Sequence, residues 1–314
     1  MAAKRRILVL GATSAIAERW CRLRAASGDS LLLVARDGAK LSAIADDLKA
    51  RGAGGVHTAT EDLADTIGAD GRFSGWVDTL GGVDIVFLAY GILGDQAEAQ
   101  RDTGALLRGI QANFTSAVVW CELAARAFEL AGAGTLVGIS SVAGDRGRRT
   151  NYDYGAAKAG LSTYLEGMAH RFAGSEITVV CVKPGFVATP MTAHIDGRDG
   201  PLWATPEQVA ERWYATEDSE LVLEYAATTD KTTIVTRVET PLLVSDGGAV
   251  LTVLNWQTRT VPPAAQPPLH LHISVKVELK AKVVGLRTAH PSAYIFQARY
   301  LVIAPRPTSS RRKP

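Results

Sequence analysis

The sequence is poor in the residues that mark secreted or metal-dependent proteins. It has three cysteines in 314 residues, Cys21, Cys121 and Cys181. They are odd in number, far apart and free of any Cys-x-x-Cys spacing. That argues against a disulfide framework and a cysteine zinc site, and it fits reduced thiols. Histidine is also scarce, with six. His170 and His194 read as surface or loop residues. His270 and His272 share one face of an alternating segment, but no third ligand accompanies them, so no metal is expected. An excess of one charge is missing too. The net charge of +2 gives no case for nucleic acid by bulk electrostatics. No apolar run approaches the ~20 residues of a membrane-spanning helix. The opening MAAKRRILVLGATSAIA has the basic and small residues of a secretory leader. Its apolar stretch, Ile7 to Leu10, is too short and meets Gly-Ala-Thr-Ser at once. It reads as a buried first strand entering a turn. The expectation is a cytoplasmic globular chain, long enough for one large domain or for a domain with an appendage.

Over the first two thirds, short apolar runs alternate with helical patterns. RILVLG, SLLLVAR, VDIVFLAYG, GTLVGISS and ITVVCVKPG read as strands, and helices are predicted around residues 15–26, 40–51, 105–131 and 155–172. Continuous apolar strands separated by helices predict an α/β fold, a doubly wound parallel sheet covered on both faces. Ligands of such sheets bind at the carboxyl ends of the strands. Each unusual short motif of this chain follows a strand.

Beyond residue 226 the period changes to two. In LHLHISVKVELKAKVV, Leu271, Ile273, Val275, Val277 and Leu279 fall on one face and polar residues on the other, which predicts a half-buried antiparallel strand. TTIVTRVETPLLV, AVLTVLNWQTRTV and SAYIFQARYLVIA look similar, with SDGG as a turn and VPPAAQPPL as a proline-rich connection. The expected organisation is a catalytic domain over 1–225, a β-rich C-terminal extension of unknown fold over 226–305 and a basic disordered tail over 306–314. The extension reads as an appended sandwich or barrel, or as a platform for oligomerisation or substrate guidance. Its strict alternation argues against an unfolded terminus.

Three segments carry chemistry. In GATSAIA, Gly11 lets the backbone approach a pyrophosphate at a helix N-terminus, while Ala15 and Ala17 stand where later glycines are usual. Thr13 and Ser14 add hydroxyls. The second strand ends in Arg36, not in an acid, which suits a 2′-phosphate and favours NADP(H) over NAD(H). Asp37 beside it supports the plainer reading of a solvent-facing helix start. In TNYDYGAAKAG, Tyr154 and Lys158 lie one helical turn apart, and an ammonium beside a phenol favours the phenolate. Tyr152 has Ala156 in the equivalent place. Ser141 precedes Tyr154 by thirteen residues and could hold a carbonyl that the tyrosine protonates. Arg146, Arg148 and Arg149 cluster between them. Arg148 and Arg149 are candidates for a substrate phosphate, against the plainer reading of a solvated basic loop. Trp203, in GPLWATPEQVA, belongs either over a substrate pocket or in the core.

With QANFTS and VKPGFVATPM added, the combination resembles the short-chain dehydrogenase/reductase family over residues 4–225. The resemblance implies a Rossmann-type sheet. It implies Tyr154 as general acid/base and Lys158 as the group that binds the nicotinamide ribose and lowers the tyrosine pKa. Ser141 would orient the carbonyl and Asn113 support a proton relay. The implied cofactor contacts are Gly11, Thr13, Ser14, Ile16 and Arg36, then Asp62 and Leu63 at the adenine. Ala89, Gly91, Pro184, Gly185, Val187 and Thr189 complete them, with Tyr154 and Lys158. In the family's Asn-Asn-Ala-Gly place this chain has LAYG.

GATSAIA, AYGILGDQ, SSVAGDRGRRTNYDYGAAKAGL and KPGFVATPMTA look like the decaprenylphosphoryl-2-keto-pentose reductases. That implies an NADPH-dependent carbonyl reductase acting on a 2-keto sugar carried by a polyprenyl phosphate, a homo-oligomer in the cytoplasm and peripheral to the inner membrane. The alternatives are a reductase of another ketone (ketoacyl, steroid or polyketide) and a dinucleotide-binding scaffold without turnover. An intact set of Asn113, Ser141, Tyr154 and Lys158 argues against the scaffold.

Overall fold

In the first strand, β1 (Arg6–Leu10), successive side chains point to opposite faces. Ile7 and Val9 enter one core layer, Leu8 and Leu10 the other, and all four are fully buried. A strand apolar on both faces must be covered on both, and each such side chain contributes about 1.5–3 kcal/mol when buried. The computed structural model describes residues 4–196, 203–216, 221–229, 232–240 and 272–279.

The main body alternates strand and helix: β1, α1 (Ala15–Ala26), β2 (Ser30–Ala35), α2 (Gly38–Ala50), β3 (Gly55–Thr60), α3 (Ala69–Leu80) and β4 (Ile85–Leu88). The short α4 (Gln96–Ala99) and α5 (Thr103–Ile110) follow, then α6 (Ser116–Ala131), β5 (Ala133–Ile139), α7 (Tyr152–Arg171) and β6 (Glu176–Val182). The six strands form one sheet in the order β3-β2-β1-β4-β5-β6, parallel throughout. Strand order reverses between β1 and β4, where Leu10 pairs with Leu88. The crevice of a doubly wound sheet opens at this point.

One layer packs α3, α6 and α7 on the sheet, with Trp76, Trp120, Phe128 and Leu165 among its buried side chains. The opposite layer packs α1, α2 and a further helix, α8 (Pro206–Thr216). There Trp213 stacks on Trp20 with ring centroids 4.5 Å apart, and Phe87 closes the triangle at 4.8 and 4.9 Å. Tyr214 and Ser27 share a 2.6 Å hydroxyl contact that pins α8 to the end of α1.

The helix predicted over 105–131 is divided. Between α5 and α6 lies a π-helical turn, Gln111–Thr115. The exposed edge strand β3 and the helix α3 add to the predicted elements. Trp203 sits in a two-residue strand, β8 (Trp203–Ala204), parallel to β7 (Phe186–Val187), with its ring 5.0 Å from that of Phe186. The cysteines are free, with Cys21 and Cys121 buried. No helix among the described residues is long and apolar enough to cross a membrane.

Three further strands, β9 (Leu221–Thr229), β10 (Thr232–Thr240) and β11 (His272–Leu279), form an antiparallel sheet in the order β10-β9-β11. β10 and β11 fall on segments read as strands, and the domain break expected at Tyr225 falls inside β9. The strands predicted from AVLTVLNWQTRTV and SAYIFQARYLVIA, the SDGG turn, His270 and the tail lie outside the described residues. No group of three metal-ligating side chains occurs among the described residues.

Candidate active site

At the switch point lies a cleft of about 400 Å³. Its floor begins with the turn after β1. Gly11 has a φ of +93°, and a Cβ there would stand 2.6 Å from the Cβ and backbone nitrogen of Tyr90. Only glycine accepts both conditions. The Gly11 and Ala12 amides bond the Val34 carbonyl at 2.8 and 3.1 Å, tying the turn to β2. Ser14 is the N-cap of α1, yet its hydroxyl makes no capping bond. The first amides of α1 therefore remain as donors beside Thr13, Ser14 and Ile16, which all line the cleft. Ala17, standing where a glycine is usual, is fully buried on the helix's inner face.

The two residues at the second strand's end take different places. Asp37 caps α2, accepting from the Lys40 amide at 2.9 Å, while the exposed Arg36 lines the cleft. Lys40 joins it there, its ammonium 2.9 Å from the Thr13 carbonyl. Sequence reasoning missed Lys40, although its place one turn after the Arg36-Asp37 helix start was a signal. Asp62 and Leu63 line the same end, together with Glu61. Among the described titratable side chains around the cleft, Arg36, Lys40, Arg148 and Lys158 are cationic and only Glu61 and Asp62 are carboxylates. That donor set, with a free helix N-terminus, fits a polyanionic dinucleotide.

At the other end stand Ser141, Tyr154 and Lys158, brought together from the end of β5 and from α7. Lys158 is 3% exposed; its Nζ donates to the Ile139 carbonyl at 2.9 Å and lies 5.8 Å from the Tyr154 ring centroid. Burial pulls this ammonium down from 10.5 to about 8. Burial pushes the Tyr154 phenol up, and its hydrogen bond with Ser141 pulls it partly back. The expectation that Lys158 lowers the tyrosine pKa is therefore corrected. The ammonium is engaged by a backbone carbonyl, and desolvation of the phenol dominates. Ser141 also accepts from the Ala143 amide at 3.1 Å, which fixes its hydroxyl over the turn. Neighbouring Ser140 is turned inward, bonded to the Lys158 carbonyl and to Ser162 at 2.9 and 2.6 Å.

Asn113 comes from the π turn. Its amide nitrogen donates to Ile92 and Gly109 carbonyls at 2.8 and 2.9 Å, and its oxygen accepts from the Ile92 amide at 3.0 Å. All three bonds are to backbone, so Asn113 holds the segment after β4 in place. A Cβ on Gly91 would meet the Asn113 oxygen at 2.6 Å. Asn113 itself lies behind the cleft, lining an adjoining cavity of about 130 Å³ that also reaches Tyr154. Ala89, Gly91, Pro184, Gly185, Val187 and Thr189 all line the cleft. Tyr90, in the LAYG departure, lines it too, and its hydroxyl meets Ser116 Oγ at 2.8 Å.

Tyr152 is exposed, accepts from Gln100 at 3.3 Å and does not line the cleft. Beyond Tyr154 the walls are apolar: Ile92, Leu93, Val142, Phe186, Met191 and Ile195. Phe186 and Met191 are nonetheless 43% and 40% exposed. Arg148 and Asn151 complete this end. Arg149, expected beside Arg148, does not reach the cleft. The Asn151 amide bonds the Arg148 carbonyl, closing a turn that carries Arg149 outward. Asp145, the acid of this loop, is taken by Lys183 at 2.7 Å. His170 and His194 are exposed, as expected.

The short chain dehydrogenase family model matches residues 5–199. An uncharacterized oxidoreductase of Streptomyces coelicolor is 40% identical over 207 residues, 66% of this chain and 80% of the relative. A 3-oxoacyl-acyl-carrier-protein reductase of Bos taurus is 30% identical over 189 residues, 60% of this chain and 78% of the relative. Among solved structures, an actinorhodin polyketide ketoreductase with NADPH superposes with a TM-score of 0.61 at 24% identity, covering 67% of this chain and 90% of that one. That likeness concerns the fold.

Proposed function

The chain belongs to the short chain dehydrogenase family, and on that premise we propose that it is an NADPH-dependent ketone reductase whose proton donor is Tyr154. It is an oxidoreductase of the C=O/CH–OH couple, in a family that uses NAD(P)(H). The observation that carries the proposal is the meeting of Ser141, Tyr154 and Lys158 at one end of a cleft whose other end presents Gly11, Arg36 and Lys40. When bound, the dinucleotide supplies the hydride. Everything else falls to the protein.

Tyr154 holds its proton firmly, because burial raises its pKa, so at neutral pH it is a donor. It gives that proton to the oxygen that gains charge as the ketone is reduced. Ser141, fixed by the Ala143 amide, adds a second donor to the same oxygen. Lys158, anchored through the Ile139 carbonyl, holds its charge for the nicotinamide ribose. Asn113 keeps the Ile92 backbone in register beneath them. Arg36 and Lys40 read the 2′-phosphate. Titration with NADPH and NADH, followed by nicotinamide fluorescence, tests the cofactor half, with NADPH expected to bind the more tightly. Tyr154→Phe is expected to abolish turnover with cofactor affinity nearly unchanged. Retained turnover would move the acid elsewhere.

For the substrate we propose a 2-keto sugar carried on a polyprenyl phosphate. Support comes from the apolar wall of Ile92, Leu93, Phe186 and Met191 together with the guanidinium of Arg148 at that end. Arg148→Ala is expected to raise the KM for a phosphorylated keto substrate about tenfold, the loss of one charge-assisted contact, and to leave that for an uncharged ketone unchanged. Equal KM values for both would remove the phosphate from the reading. A ketoacyl thioester is the second reading, favoured by the same apolar wall and by the Bos taurus relative.

A further inference from the structure

The loop after β3 carries Asp62 and Leu63, which line the adenosine end of the cleft. Three side chains from outside the loop hold it. Arg72 of α3 donates to the Glu61 carboxylate at 3.1 Å and to the backbone carbonyls of Asp65 and Ile67. Trp120 of α6 donates from its indole nitrogen to the Leu63 carbonyl at 2.8 Å. Gln111 of the π turn donates to the Ala64 carbonyl at 2.9 Å. Arg72 also lies over the Trp120 ring, 5.2 Å from its centroid, so the guanidinium and the fully buried indole support each other.

We propose that Arg72, Trp120 and Gln111 form a bracket that presets the adenosine-binding loop, with Arg72 as its principal positioning residue. The inference rests on the reading of the cleft as a dinucleotide site. None of the three is among the residues lining the cleft; they act through the loop. A loop of this kind exposes its carbonyls to water unless something binds them, and an unheld loop loses affinity by the entropy of ordering it on each binding event. Here the ordering is done in advance. The planar guanidinium spreads its bonds to a carboxylate and two carbonyls over two nitrogens in a fixed fork, whereas a lysine offers one point charge on a flexible stem.

The test uses the full chain and three probes: NADPH, adenosine 2′,5′-bisphosphate for the adenosine end alone, and reduced nicotinamide mononucleotide for the other end alone. Arg72→Lys and Arg72→Ala are expected to raise the Kd for NADPH and for the bisphosphate by the same factor, about tenfold, equivalent to about 1.4 kcal/mol. The Kd for the mononucleotide should stay within twofold. Gln111→Leu removes one bond without charge and should give a smaller loss with the same division between the fragments. It also serves if the arginine variants do not fold. Parallel losses for both fragments would mean general loosening and overturn the proposal, as would unchanged binding of all three. If the unmutated protein binds no NADPH, the dinucleotide reading fails first and the bracket with it.

Discussion

Tyr152 and Tyr154 share a sequence neighbourhood and differ in everything else. One is at the surface against Gln100, the other in the cleft against Ser141. Helical spacing to Lys158 was enough to separate them in the sequence, because one turn of α7 is a rigid relation. What spacing could not give was the direction of the tyrosine's shift, which depends on how much protein surrounds the ring. Lys158 is the group whose titration falls in an accessible range. Its ammonium is charged below about pH 8 and neutral above it. The kcat/KM for ketone reduction, which reports the free enzyme, is therefore expected to fall as the pH rises through about 8. Lys158→Arg should carry that limb out of the accessible range, since guanidinium stays charged. A limb that stays near 8 in the variant would belong to another group. For stability the sign is reversed. The folded pKa lies below the unfolded one, so burial of the charge costs stability below pH 8. That cost is relieved as the pH rises from the folded value toward 10.5.

Elements were legible where they were apolar. Strands β1, β2, β4, β5 and β6 announce themselves as largely apolar runs. β3, in GVHTAT, does not, because it is the sheet's outer strand and half of it faces water. α3 is hidden by Gly71 and Gly75, which weaken a helical pattern although Phe73 and Trp76 are buried on its inner face. The π turn has no signature in composition. In the structure its backbone steps five residues, from the Ser116 amide to the Gln111 carbonyl, and Asn113 within it donates two side-chain bonds to backbone and accepts one. α8 is an element whose value lies in one residue. Trp213 is 4% exposed and fills the gap between Trp20 and Phe87. Trp213→Ala is expected to cost about 3–5 kcal/mol, read as a lower urea midpoint with an unchanged m value. A loss under 1 kcal/mol would mean the neighbouring rings close the space.

For the whole molecule, the cleft and both core layers are built from residues that precede the β9–β11 sheet. A chain ending at Thr216 is therefore expected to bind NADPH with a Kd within twofold of the full chain by fluorescence titration. A large loss would make the β-rich extension part of the site and remove the proposal of a self-contained catalytic domain over residues 1–225. Doubly wound topology was readable from the alternation of strand and helix, because each apolar strand needs cover on both faces. The antiparallel sheet of β9, β10 and β11 was readable only as a tendency, since period-two alternation names strands without naming their partners. Here β9, the central strand, is the one that carried no expectation of pairing with both others.

The Trp20–Phe87–Trp213 triangle also sets an order of events during synthesis. Trp20 and Phe87 leave the ribosome early, and the ring that covers them belongs to α8, made after the whole parallel sheet. Until α8 arrives, the nascent body carries an aromatic surface open to water and to other nascent chains. Completion of this core layer is tied to the end of the sheet domain's translation.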